Sequence, residues 1–274
     1  MLDKIDQRFV FIENIAWWEG QINTRHLREK YSISQATAQK TLKQYQQKFP
    51  NNLTYSQSEK TFIVNDEFTY LTDLNNFSRY LSNVSLDEKT PISDHIFEVE
   101  APLRNINPQQ VRPILRAIRE KLAIDIGYLS LANPDYLDRI IQPHSLIFDG
   151  LRWHVRAYCN KNQSFRDFSL SRFNGEAIVE GKATHFAEQD ERWNTWIDIV
   201  IEPDPRLSGL QKQIIAKDYQ MESGRKVIPV RAALVNYLLK RLNIDHYQNT
   251  PEAQQIVLST ECRKAVTPYL PQPT

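Results

Sequence analysis

The sequence predicts an α+β chain of several domains: an N-terminal winged helix-turn-helix, a central five-stranded β-barrel and a small C-terminal two-layer α/β domain. Three observations carry this reading. The chain is 274 residues long, more than one ordinary domain and enough for two or three. Apolar residues recur at helical spacing in the first 50 residues, then alternate at period two between 123 and 172. Charge is partitioned: residues 1–65 carry nine Lys/Arg against six Asp/Glu, a net of +3, and residues 66–100 carry two against eight, a net of −6. Residues 101–190 and 191–274 are each mildly basic, at +2. The boundaries expected from this are 1–65, 66–94 (a helical connector), 95–190 and 191–274.

In the first block, Ile5, Phe9, Ile12 and Ala16 define an amphipathic helix over 4–18, broken by Gly20. Asn23-Thr24 offers cap chemistry for a short second helix over 25–31. Ser34 caps a third, 35–49, which Pro50 ends. At 100° per residue, Ala38, Leu42 and Tyr45 face inward, while Thr37, Lys40, Lys43, Gln44 and Gln47 face outward, with Ala36 among them and Gln39 at the edge. The outward face has no carboxylate. Its ammonium groups suit phosphates and its amides suit adenine edges. Short strands at 53–56 and 61–64 would form the wing, with Lys60 in its turn. The DNA-contacting set read from this order is Arg25, Ser34, Gln35, Thr37, Gln39, Lys40, Lys43, Gln44 and Lys60. The residues alone leave open a three-helix bundle whose polar face is only solvated.

Phe68, Leu71, Leu74, Phe77, Leu81 and Val84 predict a connecting helix over 67–84, followed by a polar linker at 87–94 with Pro91. A strand is expected over 96–103 and a helix from Pro108 to 122. Five short strands follow at 123–131, 138–144, 145–148, 151–159 and 164–172, cut by Asn133-Pro134-Asp135, Asp149-Gly150, Asn160-Lys161-Asn162 and Asn174-Gly175. Such spacing suggests a small, strongly bent barrel. Alternation puts Arg152, His154, Arg156 and Tyr158 on one side of their strand, and Arg166, Phe168, Leu170 and Arg172 on one side of the next. Guanidinium forks beside aromatic rings resemble an anion or nucleotide site. An ordinary exposed basic face, with His154 as a structural histidine, is the competing reading.

These segments carry a family resemblance. Gln142-Pro143-His144, Asp149-Gly150-Leu151-Arg152-Trp153-His154-Val155-Arg156-Ala157-Tyr158 and Phe165-Arg166-Asp167-Phe168-Ser169-Leu170-Ser171-Arg172-Phe173 resemble the WYL-domain transcription regulators. The family's Trp-Tyr-Leu stands here as Trp153-His154-Val155, while its Arg-x-Phe-x-Leu-x-Arg pattern is intact from Arg166 to Arg172. With this layout the chain is similar to the BrxR/CapW-type regulators found beside bacterial phage-defence systems. The resemblance implies an Sm-like barrel and a homodimeric repressor, usually of its own defence operon, on an inverted-repeat operator in double-stranded DNA. It also implies a nucleotide or oligonucleotide effector. The ligand residues so assigned are His144, Arg152, Trp153, His154, Arg156, Tyr158, Arg166, Phe168 and Arg172.

The last block reads as strand 196–202 ending at Pro203, helix 206–219, strand 226–231 and a helix striped by Val235, Leu238, Leu239 and Leu242. This β-α-β-α order fits a two-layer domain suited to dimerisation, with Arg225 and Lys226 as minor ligand candidates.

Composition removes other classes. The closest of seven glycines, Gly175 and Gly181, are six apart, so no GxGxxG, Walker A loop or GxSxG elbow exists. Six scattered histidines and two cysteines, Cys159 and Cys262, form no zinc motif or disulfide framework, and the cysteines read as reduced small hydrophobes. Asp198, Glu202 and Asp204 lie close in sequence, and Asp198 and Glu202 would share a strand face, but that pair has no evident third metal ligand or basic partner. No apolar run approaches the roughly 20 residues that span a bilayer, and MLDKIDQRF has no signal-peptide core. The expectation is a cytoplasmic, non-enzymatic regulator without cofactor or metal. A nucleic-acid-processing enzyme that docks through the winged helix, or an activator of the same architecture, is the alternative.

Overall fold

The structure, a computed structural model, describes residues 4–71, 77, 80, 81, 97, 99, 102, 104–131 and 137–270. It divides into two compact units, Met1–Glu100 and Ala101–Thr274.

In the first unit, helix α1 (Lys4–Glu19) leads through Gly20 to a two-residue strand β1 (Gln21–Ile22). Helix α2 (Thr24–Tyr31) starts at Asn23, whose side chain accepts from the Arg25 N–H while its own N–H donates to His26 Nδ1. It stops at Ser32, which takes the left-handed conformation (φ 50°). Helix α3 (Gln35–Lys48) begins at Ser34, whose Oγ accepts from the Thr37 N–H. Strands β2 (Leu53–Ser56) and β3 (Thr61–Val64) pair antiparallel, and β1 adds to β3, giving the order β1-β3-β2. Ala38, Leu42 and Tyr45 are buried against Phe9, Ile12 and Leu27. Strand β1 is not among the expected elements, because two residues carry no periodicity.

The expected helix over 67–84 is only partly described. Phe77, Tyr80 and Leu81 are helical, but residues 67–71 are in turns or irregular conformation, because Asn52 engages their backbone. The expected linker at 87–94 lies outside the described residues. Residues 97, 99 and 102 belong to no strand, so the strand expected over 96–103 is not formed at its described positions.

The second unit opens with α4 (Pro108–Glu120), capped by Asn107 and ended by Lys121 at φ 53°. Strands β4 (Leu122–Tyr128), β5 (Leu137–Phe148), β6 (Trp153–Cys159), β7 (Ser164–Ser169) and β8 (Phe173–Lys182) form an antiparallel sheet in the order β7-β6-β5-β4-β8. Ile114 and Ala117 of α4 pack on Ile124, Ile126, Ile141, Val155 and Phe168.

Three expectations need correction here. The sheet is not a closed barrel: β7 and β8 are its edges, joined by the 3-10 turn Leu170–Arg172. At that seam the Ser169 N–H donates to the Tyr128 hydroxyl, and the Arg172 carbonyl accepts from Leu129 N–H, so β4 satisfies groups a closing ladder would have used. The strands expected at 138–144 and 145–148 are one strand, bent by a register shift between Pro143 and Ser145. Asn174-Gly175 is not a terminal turn. Gly175 (φ 74°) lies inside β8, where Ile126 of β4 faces three residues, 175–177.

The unit continues through α5 (Glu191–Asn194), β9 (Trp196–Pro203), α6 (Gly209–Asp218), β10 (Lys226–Arg231), α7 (Val235–Arg241), α8 (Pro251–Gln254), β11 (Ile256–Leu258) and α9 (Thr260–Val266). The second sheet has the order β10-β9-β11, and α6, α7 and α9 share one core with its Ile199, Ile201 and Ile256. The expected helix over 206–219 is shorter because Ser208 and Gln211 close a capping box. Elements α8, β11 and α9 are not among the expected ones. Both cysteines are buried and free.

A buried polar knot tests the first unit. Asn52, 1% exposed, donates to Tyr45 Oη (2.7 Å) and the Thr69 carbonyl and accepts from Thr69 N–H (3.0 Å). Glu13, also buried, accepts from Tyr45 Oη and Leu71 N–H, and burial pushes its carboxyl above the usual range. Asn52→Ala strands several of these partners, so it is expected to cost about 2–3 kcal/mol in urea unfolding of the full chain.

Candidate nucleic-acid interface and ligand clefts

On α3, Ala36, Gln39, Lys40, Lys43, Gln44 and Gln47 are exposed, and Thr37 is half-buried. Ser34 and Thr37 are partly committed to the helix start, their hydroxyls lying 2.9 Å apart. Gln35 donates to Thr24 Oγ1. Gln35, Gln39, Lys43 and Lys60 line a groove of about 550 Å³ between α3 and the wing. Lys60 is held at φ 55° in the wing turn. Arg25 is exposed but ion-paired to Glu29 at 2.7 Å, which raises its affinity for its proton and offsets its charge. Tyr55 and Phe62, in edge contact at 5.0 Å, also line the groove. Sequence reasoning misses them because their strand alternation reads as wing packing.

The second candidate region lies between β5–β7 and the C-terminal sheet's helices. Antiparallel register puts His154, Arg156 and Tyr158 on the same face as Ser169, Asp167 and Phe165. Arg166 and Phe168 therefore fall on the opposite face. Phe168 is core, edge-on to Tyr128 at 5.0 Å, rather than beside the cations.

The cationic face is largely covered and neutralised. Arg156 is 4% exposed. Its Nε and Nη2 donate to the Asp190 carboxylate, and its Nη1 to Asp167 Oδ1 at 2.9 Å. His144 Nε2 lies 3.2 Å from Asp190 Oδ2. Tyr237 of α7 donates to Asp167 Oδ2 at 3.0 Å and lays its ring 5.1 Å from that of His154. His154 Nε2 contacts Asp149 Oδ2 at 2.9 Å, while Asp149 Oδ1 accepts from Leu151 and Arg152 N–H groups and holds the β5–β6 turn. Tyr158 is buried in a stack with His185 at 3.6 Å. So His144, His154, Arg156, Tyr158 and Phe168 have their partners within the fold.

Trp153 is exposed and lies against Phe148 at 5.0 Å. Two clefts flank Tyr237. One, about 440 Å³, is lined by Arg152, His154, Lys240 and Arg241. The other, about 390 Å³, is lined by Phe165, Arg166, Arg192 and Tyr269. Arg172 lines neither. Sequence reasoning misses Asp149, whose turn chemistry hides its bond to His154, and it misses Asp167, Asp190, Arg192, Tyr237, Lys240 and Arg241, which reach their sites through packing between elements. Arg225 pairs with Glu202 and Lys226 reaches the Gln220 carbonyl. Asp204 is clamped by Arg206, and no group of three His, Cys, Asp or Glu suited to a metal occurs among the described residues.

Burial alone would push the Asp190 carboxyl up, but hydrogen bonds from His144 and Arg156, the Arg156 charge and the Trp193 N–H outweigh it and hold it at about 2. Because the folded value lies below the unfolded one, this stabilisation is complete above pH ~4 and is lost as pH falls toward ~2. Asp190→Asn is expected to cost about 3 kcal/mol at neutral pH. In thermal melts from neutral to acid pH, its deficit against the parent should shrink through that window. A constant deficit would contradict the pairing.

Comparison with known proteins gives three successive family matches. Residues 4–86 match the BrxR transcriptional regulator winged helix-turn-helix domain, 109–178 the WYL domain, and 196–266 the BrxR transcriptional regulator C-terminal dimerization domain. The DNA-binding transcriptional repressor CapW of Pseudomonas aeruginosa is 34% identical over 265 residues, 92% of this chain and 88% of the relative. That of Escherichia coli is 33% identical over 271 residues, covering 93% and 89%. That of Stenotrophomonas maltophilia is 30% identical over 264 residues, covering 92% and 88%. Among solved structures, proteasome accessory factor B/C (PafBC) of Arthrobacter aurescens matches at 14% identity and a TM-score of 0.27, over 90% of this chain and 44% of that one. Identity at this level along nearly the full length of both chains places the protein in the family of CapW repressors, with a BrxR-type winged helix, a WYL domain and a BrxR-type dimerization domain.

Proposed function

We propose that the protein is a homodimeric, sequence-specific DNA-binding repressor whose WYL domain senses a nucleotide or nucleic-acid ligand, and that it controls a phage-defence operon. The observation that carries the DNA-binding part is the exposed, carboxylate-free face of α3, with Lys40, Lys43, Gln39 and Gln44, on a chain at least 30% identical to CapW repressors. In this reading 1–65 reads DNA, 66–94 connects, 95–190 senses and 191–274 dimerises. Two α3 helices of a dimer would enter the half-sites of an inverted repeat spaced by about one helical turn or a multiple of it. Lys40, Lys43, Lys60 and Arg25 would meet phosphates, while Gln39 and Gln44 would read base edges. An effector changes occupancy only by binding the DNA-free and DNA-bound geometries with different affinity. The clefts beside Tyr237 support that part, since they join the sensing sheet to helix α7 of the dimerisation domain. No described helix is long and apolar enough to cross a membrane.

The test is fluorescence anisotropy on DNA upstream of the protein's own gene, repeated across salt concentrations. The parent should bind with a steep salt dependence. Lys40→Ala plus Lys43→Ala should weaken binding at least about tenfold and flatten the slope of log K against log salt by roughly 2, about 0.9 for each phosphate no longer neutralised. Undiminished binding would overturn the DNA-reading role of α3.

A further inference from the structure

The cleft of about 440 Å³ beside Tyr237 holds an unusual charge set for this unit. Arg156 is matched by Asp190 and Asp167, and Arg206 by Asp204, whereas the buried Arg139 lies against Asn162 and the Tyr128 ring with its Nε unpartnered. Arg152, Lys240 and Arg241 converge on the cleft, and among the described residues none of the three forms an ion pair. Arg152 Nε is buried with no hydrogen-bond partner. A buried, unpaired guanidinium nitrogen is costly unless something fills its bonding direction.

The one carboxylate lining the cleft does not neutralise this set. Asp149 directs Oδ1 to the Leu151 and Arg152 N–H groups and Oδ2 to His154. Its bonds face its own turn and fix the loop that presents Arg152. Gly150, at φ 100°, lies directly beneath the Arg241 side chain, 3.8 Å from where a Cβ would stand to Arg241 Nε. Two of the cations thus come from the last turn of α7 and the third from the β5–β6 turn of the other sheet.

We propose that this cleft binds a phosphate group, which bridges the β5–β6 turn to the end of α7 and so ties the WYL sheet to the dimerisation domain. Three convergent cations suit a doubly charged phosphate monoester better than a singly charged internal diester. The His154 and Tyr237 rings, tilted 38° to each other at 5.1 Å, wall the cleft for the group that carries the phosphate. The role as an effector site rests on the sensing function proposed above; the phosphate site itself does not.

Isothermal titration of the full-length protein with inorganic phosphate, at constant ionic strength, tests the site. Saturable binding of one phosphate per chain is expected. Lys240→Gln plus Arg241→Gln should weaken it at least about tenfold, while Lys264→Gln, exposed on α9 away from the cleft, should not change it. No saturable binding in the millimolar range, or equal weakening by the α9 variant, would overturn the site. A nucleoside 5′-monophosphate, its parent nucleoside and a dinucleoside monophosphate distinguish the source. Binding of the monophosphate alone identifies a terminal phosphate, whereas equal binding of the internal diester overturns the preference for a monoester. Operator affinity is followed in the same samples. Phosphate binding with unchanged operator affinity would overturn the effector role and leave the site standing.

Discussion

The second unit depends on one buried cation. Arg156 extends from β6, almost wholly buried, and gives its donors to two carboxylates, Asp190 at the start of α5 and Asp167 on β7. Asp167 in turn accepts from Tyr237 of α7. One guanidinium therefore ties the edge of the WYL sheet to the two elements that lead into and cover the second sheet. A cation buried at this depth is tolerated only with its charge matched and its donors satisfied, and the planar fork of arginine can serve two carboxylates at once. A lysine at this position would present a point charge without that geometry.

This constraint sorts the basic residues by role. Those facing the Asp190–Asp167 pair are used up in holding the fold. Those left on the flanks, Arg152, Lys240 and Arg241 on one side of Tyr237 and Arg166 and Arg192 on the other, face open clefts. The first unit shows the same division on a smaller scale: Arg25 is matched by Glu29, whereas Lys40 and Lys43 project from a helix face with no acid. A net charge of +1 conceals both arrangements. What matters for an anionic partner is which cations the fold leaves unmatched.

Much of the local structure is legible in the sequence because local physics sets it. Strands 53–56 and 61–64, the caps at Asn23 and Ser34, the helix start at Pro108, and the inward set Ala38, Leu42 and Tyr45 all follow from propensity and period. Expectation and structure part where a local signal has a different tertiary use. Asn174-Gly175 has turn chemistry, but its positive-φ glycine serves a bulge inside β8. Asp149-Gly150 reads as a turn and is one, yet its carboxylate also fixes His154. Alternation places His154 and Arg156 on one face correctly but carries no register to the next strand, so it sets Phe168 beside them instead of Asp167. The partners of Arg156 lie 11 and 34 residues away, and Tyr237 lies 70 from Asp167, distances at which period and propensity are silent.

Arg156 and Asp190 should act as one structural unit. A double-mutant cycle by urea unfolding of the full-length protein, with Arg156→Ala, Asp190→Ala and the double variant, measures it most directly. Each single change should cost about 3–5 kcal/mol, and the double should cost well below their sum, with a coupling of about 2 kcal/mol or more. Additive costs with a coupling near zero would contradict the account.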